Sequence, residues 1–106
     1  MNIDHAKIRR EALRWLLILA LNHSRPVRAH ESMLLSTAHG VYGDTTEMEI
    51  RRELGYLEER HLVEVERNPA GFWLASLTSA GVDIAEYTVD CRPGIARPEK
   101  YWAGSS

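Results

Sequence analysis

Arginine carries most of the binding chemistry in this sequence. Arg51, Arg52 and Arg60 stand between residues 45 and 61, and Arg67 closes the apolar–polar alternation that follows. Guanidinium groups on one face of a helix can meet base-edge acceptors or phosphates, so this arrangement points to duplex DNA. The stripe Ile50, Leu54 and Leu57 has helical spacing and must face a core. Turning about 100° per residue places Met48, Arg52, Gly55, Tyr56 and Glu59 on the far side. Arg52 is the candidate for a bidentate contact to guanine and Tyr56 for a phosphate contact, with Arg51 and Arg60 on the flanks. The expected DNA-binding set is therefore Met48, Arg51, Arg52, Tyr56 and Arg67. The same stretch holds Glu47, Glu49, Glu53, Glu58 and Glu59, whose charges repel phosphates. Modest affinity that depends on a few arginines is the expectation. Lys7, Arg9, Arg10 and Arg14, with Arg25 and Arg28, either add backbone contacts or form a solvated face.

Other chemistries find less material. The sequence has no His-Glu-x-x-His, Cys-x-x-Cys, glycine-rich phosphate loop or nucleophile elbow, so no enzyme activity and no cofactor is expected. The five histidines are scattered. His30 with Glu31 and His39, or His61 with Cys91, can be drawn as metal ligands, but one cysteine without a paired spacing argues for no metal site. Cys91 reads as a plain thiol.

The elements that must position these residues follow from periodicity and punctuation. A first helix is expected over residues 4–22, capped by Asp4. Leu13, Leu16, Leu17 and Ala20 form its stripe, and Trp15, Ile18 and Leu19 widen it beyond one core face. Two readings stand side by side: a central helix packed on two sides, or a homodimer seam made by Trp15, Ile18 and Leu19. A turn with a short extended piece at Val27 leads to a second helix over 30–39, ended by Gly40. The third helix spans 45–61, and Thr46 with Glu49 has the spacing of a capping box. Residues 62–67 and 72–77 read as strands joined by the turn Asn68-Pro69-Ala70-Gly71, with Val63 and Val65 on one face and Glu64 and Glu66 on the other. A short helix from Thr78 or Ser79 to Tyr87 comes last, although Gly81 weakens its first turn. Residues 1–90 then form the domain and 91–106 an extended tail or arm. Tyr101 and Trp102 on that arm either anchor a protein partner or fold back over the domain.

Composition sets the limits. With 106 residues, 44% hydrophobic and 26% charged, the chain fits one globular domain. A net charge of −2 excludes a strong basic footprint and hence indiscriminate nucleic-acid binding. A single cysteine fits a reducing cytoplasm. The apolar run from Trp15 to Leu21 is too short to cross a bilayer and lacks the cleavage site of a signal peptide, so no membrane partner is expected.

Helix, extended piece, helix, helix, hairpin, helix is the order of a winged helix-turn-helix domain, a mainly α fold with a small β-hairpin (α+β). Longer strings are more specific. Glu31-Ser32-Met33-Leu34-Leu35, Ile50 through Glu59, Leu62-Val63-Glu64-Val65-Glu66, Ala75 through Ala85 and Pro93-Gly94-Ile95-Ala96-Arg97-Pro98 together resemble a family of small winged-helix proteins of Mu-like prophages, described as phage proteins or as regulator-like. The Leu-Thr-x-x-Gly-x-Asp-x-Ala string and the Pro-Gly-Ile-Ala-Arg-Pro tail carry most of the resemblance. His61 stands where many winged helices have a left-handed glycine, a conformation histidine tolerates better than most residues. The resemblance implies a winged helix of phage origin in the cytoplasm of a bacterial host. Joined to the arginines, it implies a DNA-binding, transcriptional-regulator-like module using helix 45–61 and hairpin 62–77. The alternative is a protein-interaction module of a phage assembly or host-takeover complex, which binds no DNA.

Overall fold

The first helix, α1 (His5–Ser24), begins where the Asp4 carboxylate accepts a hydrogen bond from the Lys7 amide at 3.0 Å. The computed structural model describes residues 3–100. Among these the chain forms four helices and three strands, an α+β arrangement with a small antiparallel sheet. Strand β1 (Ala29–His30) leads directly into α2 (Glu31–His39), whose first turn is capped by His30 through its ring nitrogen and the Ser32 amide. The extended piece expected at Val27 thus lies two residues later, where Ala29 and His30 pair with Ala75 and Leu74.

Helix α3 (Glu47–Glu59) starts at Thr46, whose hydroxyl accepts from the Glu49 amide at 3.1 Å. The Thr46 hydroxyl supplies one half of the expected capping box, while the Glu49 carboxylate is held by Arg9 of α1 and joins the two helices. At the other end His61 has φ 60°, the left-handed conformation anticipated from its place in the sequence. The His61 amide donates to the Glu58 carbonyl and the Leu62 amide to the Leu57 carbonyl, the two bonds of a Schellman cap. That turn aims the chain into β2 (Val63–Arg67), which returns as β3 (Trp73–Leu77) through a tight loop. There the Asn68 side chain accepts from Ala70, and Gly71 takes φ 102°. The sheet order is β1-β3-β2.

Helix α4 (Ser79–Ala85) is capped by Thr78, whose hydroxyl accepts from the Gly81 amide and donates to the His61 carbonyl. A Cβ at Gly81 would collide with the Leu62 carbonyl oxygen. The glycine that weakens the helix by propensity is what lets α4 close against the α3–β2 turn.

The core is built from Leu13, Leu17, Ile18 and Leu21 of α1, Leu34 and Ala38 of α2, Ile50, Leu54 and Leu57 of α3, and Val63 and Ala75 of the sheet. Each fully buried leucine or isoleucine contributes roughly 1.5–3 kcal/mol. Helix α1 lies at the centre, against α2, α3, α4 and β3. This corrects one expectation. Ile18, assigned to a dimer seam, is fully buried in its own chain, because α1 is packed on two sides and leaves that residue no free surface. Trp15 and Leu19 are half-buried, and Trp15 meets Tyr87 edge-on with ring centroids 5.9 Å apart.

Residues 91–98 form no regular element, yet they are stitched to the helices. Arg14 donates to the Gly94 carbonyl, Ala96 to the Glu11 carbonyl, and Arg97 to the carbonyls of Ile84 and Val89. A Cβ at Gly94, which has φ 108°, would collide with the Tyr56 hydroxyl. The Pro-Gly-Ile-Ala-Arg-Pro string is thus bound back over the domain. Tyr101 and Trp102 lie outside the described residues.

Candidate nucleic-acid interface

Helix α3 has four environments around its axis. Ile50, Leu54 and Leu57 point into the core. One flank, with Glu49, Glu53 and Tyr56, faces α1; the other, with Arg51 and Glu58, faces the hairpin. Between the flanks lies an outward strip of Met48, Arg52, Gly55 and Glu59. Met48 is 78% exposed, and a Cβ at Gly55 would meet nothing within 4 Å. The strip stands beside the hairpin, and its only cation is Arg52.

The flank toward α1 is the drier one. Arg14 donates to Glu53 at 2.8 Å inside the protein and also to the Gly94 carbonyl at 2.8 Å. Arg9 grips Glu49 with two bonds of 2.8 and 2.9 Å and reaches Asp44 at 2.8 Å. The Arg9 guanidinium holds the Asp44 carboxyl below its usual range. Tyr56 is clasped between two guanidinium groups, Arg14 at 3.4 Å and Arg60 at 3.5 Å from the ring centre. This corrects its assignment as an outward phosphate contact. Tyr56 lies roughly 80° around the helix from Met48, and its hydroxyl is turned against Gly94.

The flank toward the hairpin is tied by a different set. Arg51 makes a bidentate pair with Glu31 of α2 at 2.6 and 2.7 Å and donates to the Gly71 carbonyl at 2.6 Å. Glu31 is buried and also accepts from the Trp73 amide at 2.8 Å. Hydrogen bonding from Arg51 holds the Glu31 carboxyl below the ordinary carboxylate range, against the opposing effect of burial. Arg67 forms a bidentate pair with Glu58 at 2.8 and 3.0 Å, and this lowers the Glu58 carboxyl in the same way. The Trp73 ring lies between the guanidinium groups of Arg51 and Arg67, at 4.8 and 4.3 Å. Arg28, just before β1, pairs with Glu66 of β2. His30 stacks on Phe72 at the base of the loop, with centroids 4.9 Å apart.

The structure therefore brings Met48 and Arg52 to one exposed strip, with Arg52 donating to Glu53 at 3.1 Å, and sets Arg51 and Arg67 against the hairpin, paired with Glu31 and Glu58. Arg51 is a latch: it joins α2, α3 and the loop at Gly71. Sequence reasoning missed Glu31 as the buried centre of that latch and the long-range pairs of Arg9, Arg14 and Arg28. Only the i,i+4 pair of Glu47 and Arg51, at 3.5 Å, had a local signature.

The residues drawn as metal ligands have other roles. His30 caps α2, Glu31 pairs with Arg51, and the His39 ring meets the Thr45 carbonyl at 2.8 Å. Among the described residues no group of three or more His, Cys, Asp or Glu is placed to hold a metal ion. Burial pushes the Cys91 thiol up, away from the reactive thiolate. No described helix is long and apolar enough to cross a membrane.

Comparison with known proteins adds fold and little else. No family model matches the chain. No curated protein matches it significantly. Among solved structures it is similar to a "putative DNA-binding protein" of Ralstonia eutropha JMP134, at 22% identity and a TM-score of 0.58, over 84% of this chain and 100% of that one. At that identity the likeness is one of fold.

Proposed function

We propose that this chain is a winged-helix module that binds double-stranded DNA, with α3 entering the major groove and the β2–β3 hairpin as the wing. The outward strip of α3 carries the reading. Met48, Arg52, Gly55 and Glu59 lie beside the hairpin, and a Cβ at Gly55 would meet no atom of another element within 4 Å. A glycine inside an exposed helix costs about 1 kcal/mol relative to alanine. Here it keeps the strip low enough for close approach by another backbone. Arg52 supplies the base contact and Met48 an apolar one. The fold likeness to a protein named for DNA binding supports the same reading. The resemblance to Mu-like prophage proteins gives it a setting, regulation of phage genes; a place among early regulatory genes supports that setting, and a place among head or packaging genes opposes it.

A second reading, docking of a protein on the same strip, is favoured by one observation. Met48 is 78% exposed while the neighbouring arginines already have carboxylate partners. Fluorescence-anisotropy titration of the full chain with a pool of duplexes at low salt separates the two. Duplex binding that weakens about tenfold or more in Arg52→Ala supports DNA recognition. No binding to any duplex removes it and leaves the protein partner.

A further inference from the structure

The cations that a DNA-binding surface needs stand around the hairpin, but carboxylates of the same surface hold them. Arg67 and Glu58 are 47% and 36% exposed, and Arg28 and Glu66 are 57% and 44% exposed. A guanidinium bound to a carboxylate through parallel N–H bonds, as Arg67 is to Glu58, is posed as it would be on a phosphate. The remaining pairs on this side differ. Glu31 is buried and would be stranded if Arg51 left it. Glu53 is buried too, but Arg14 still holds it when Arg52 swings away.

We propose that Glu58 and Glu66 are internal stand-ins for phosphate, which hold Arg67 and Arg28 in place and set the affinity for duplex DNA by having to be displaced. The inference rests on the DNA-binding reading above and adds the residues that limit it. Both pairs are wet, so little desolvation opposes their opening. Each freed carboxylate then stays beside a phosphate, repels it and takes up counterions that the contact would otherwise release. Exchange therefore yields weak binding with a shallow salt dependence, although arginines are plentiful.

The test compares the wild type with Glu58→Gln/Glu66→Gln on a random-sequence duplex between roughly 50 and 200 mM salt. Circular dichroism verifies that the fold is kept. The double variant is expected to bind about tenfold tighter at the low-salt end, with a log–log salt slope steeper by up to about two. Asp90→Asn/Glu99→Gln, which changes net charge by the same two units in the C-terminal segment, is expected to leave both quantities unchanged. Arg67→Gln is expected to weaken binding more in the Glu58→Gln background than in the wild type, as coupled partners require. If Asp90→Asn/Glu99→Gln matches Glu58→Gln/Glu66→Gln, the gain is only net charge and the inference fails. If wild type and double variant bind alike, the inference fails while the DNA reading stands. If neither binds any duplex, both fail together.

Discussion

On the side of α3 that faces α1, Arg14 meets Glu53 at 2.8 Å with side chains 10% and 1% exposed; on the side that faces the hairpin, Arg67 meets Glu58 at the same distance with 47% and 36% exposed. Residue types and the shortest distance match although Arg14 gives Glu53 one bond and Arg67 gives Glu58 two, and exposure to water makes the larger difference. In the dry pair Glu53 cannot leave without stranding the buried Arg14 guanidinium, so the contact fixes where α3 sits. In the wet pair each charge has solvent as an alternative, so the contact can be exchanged for another anion. Glu31 and Arg51 lie between these limits, with a buried carboxylate and a guanidinium 26% exposed. One helix is thus anchored along one flank and adjustable along the other, and its outward strip lies between them.

The contrast is broken most severely at Glu53. Replacing it with alanine leaves Arg14 buried without its acid and is expected to cost about 3–5 kcal/mol in urea unfolding. A cost below that of Glu58→Gln would remove the distinction between the flanks. Glu31→Gln is next, at about 2–3 kcal/mol, because it weakens charged hydrogen bonds from Arg51 and the Trp73 amide.

Glu31 also carries a pH signature. Its folded-state carboxyl lies below the ordinary value of 4.5, so its contribution is complete above that value and is lost as pH falls through the folded-state one. Unfolding of wild type and Glu31→Gln should therefore differ at neutral pH and converge in acid; a constant difference would rule out this role.

Gly55→Ala sharpens the comparison on the outward strip. It is expected to raise stability by about 0.5–1 kcal/mol and to weaken duplex binding. Stabilisation with unchanged binding would mean that nothing approaches the helix there. The smallest effect belongs to Glu58→Gln, about 0–1 kcal/mol by thermal unfolding, since solvent screens an exposed pair.

The legibility of the chain follows the same line between local and distant contacts. The Thr46 cap, the Ile50, Leu54 and Leu57 stripe and the alternation after Leu62 are local, and each was readable from neighbours within a few residues, whereas the left-handed His61 was expected from the resemblance to winged helices. Gly81 was read by propensity alone and so as a weakness, because the Leu62 carbonyl that needs its bare backbone lies outside its own helix. Tyr56 was placed on the outward side by rotation about the helix axis, and it was Arg14, 42 residues earlier in the chain, that claimed its ring.

The arginines show where sequence ends and tertiary structure begins. By itself the sequence determined that a short amphipathic helix precedes a hairpin, that α1 carries more apolar surface than one face needs, and that the cations around α3 stand among acids. Hydrogen-bonding caps, turn residues and apolar period are short-range, so order along the chain suffices for them. Which acid each arginine takes was decided only by folding. Arg14 with Glu53 and Arg51 with Glu31 are separated by 39 and 20 residues, and their meeting depends on how helices pack. Packing also decided which of these pairs are dry and which are wet, and with it which charges hold the fold and which remain available to a partner.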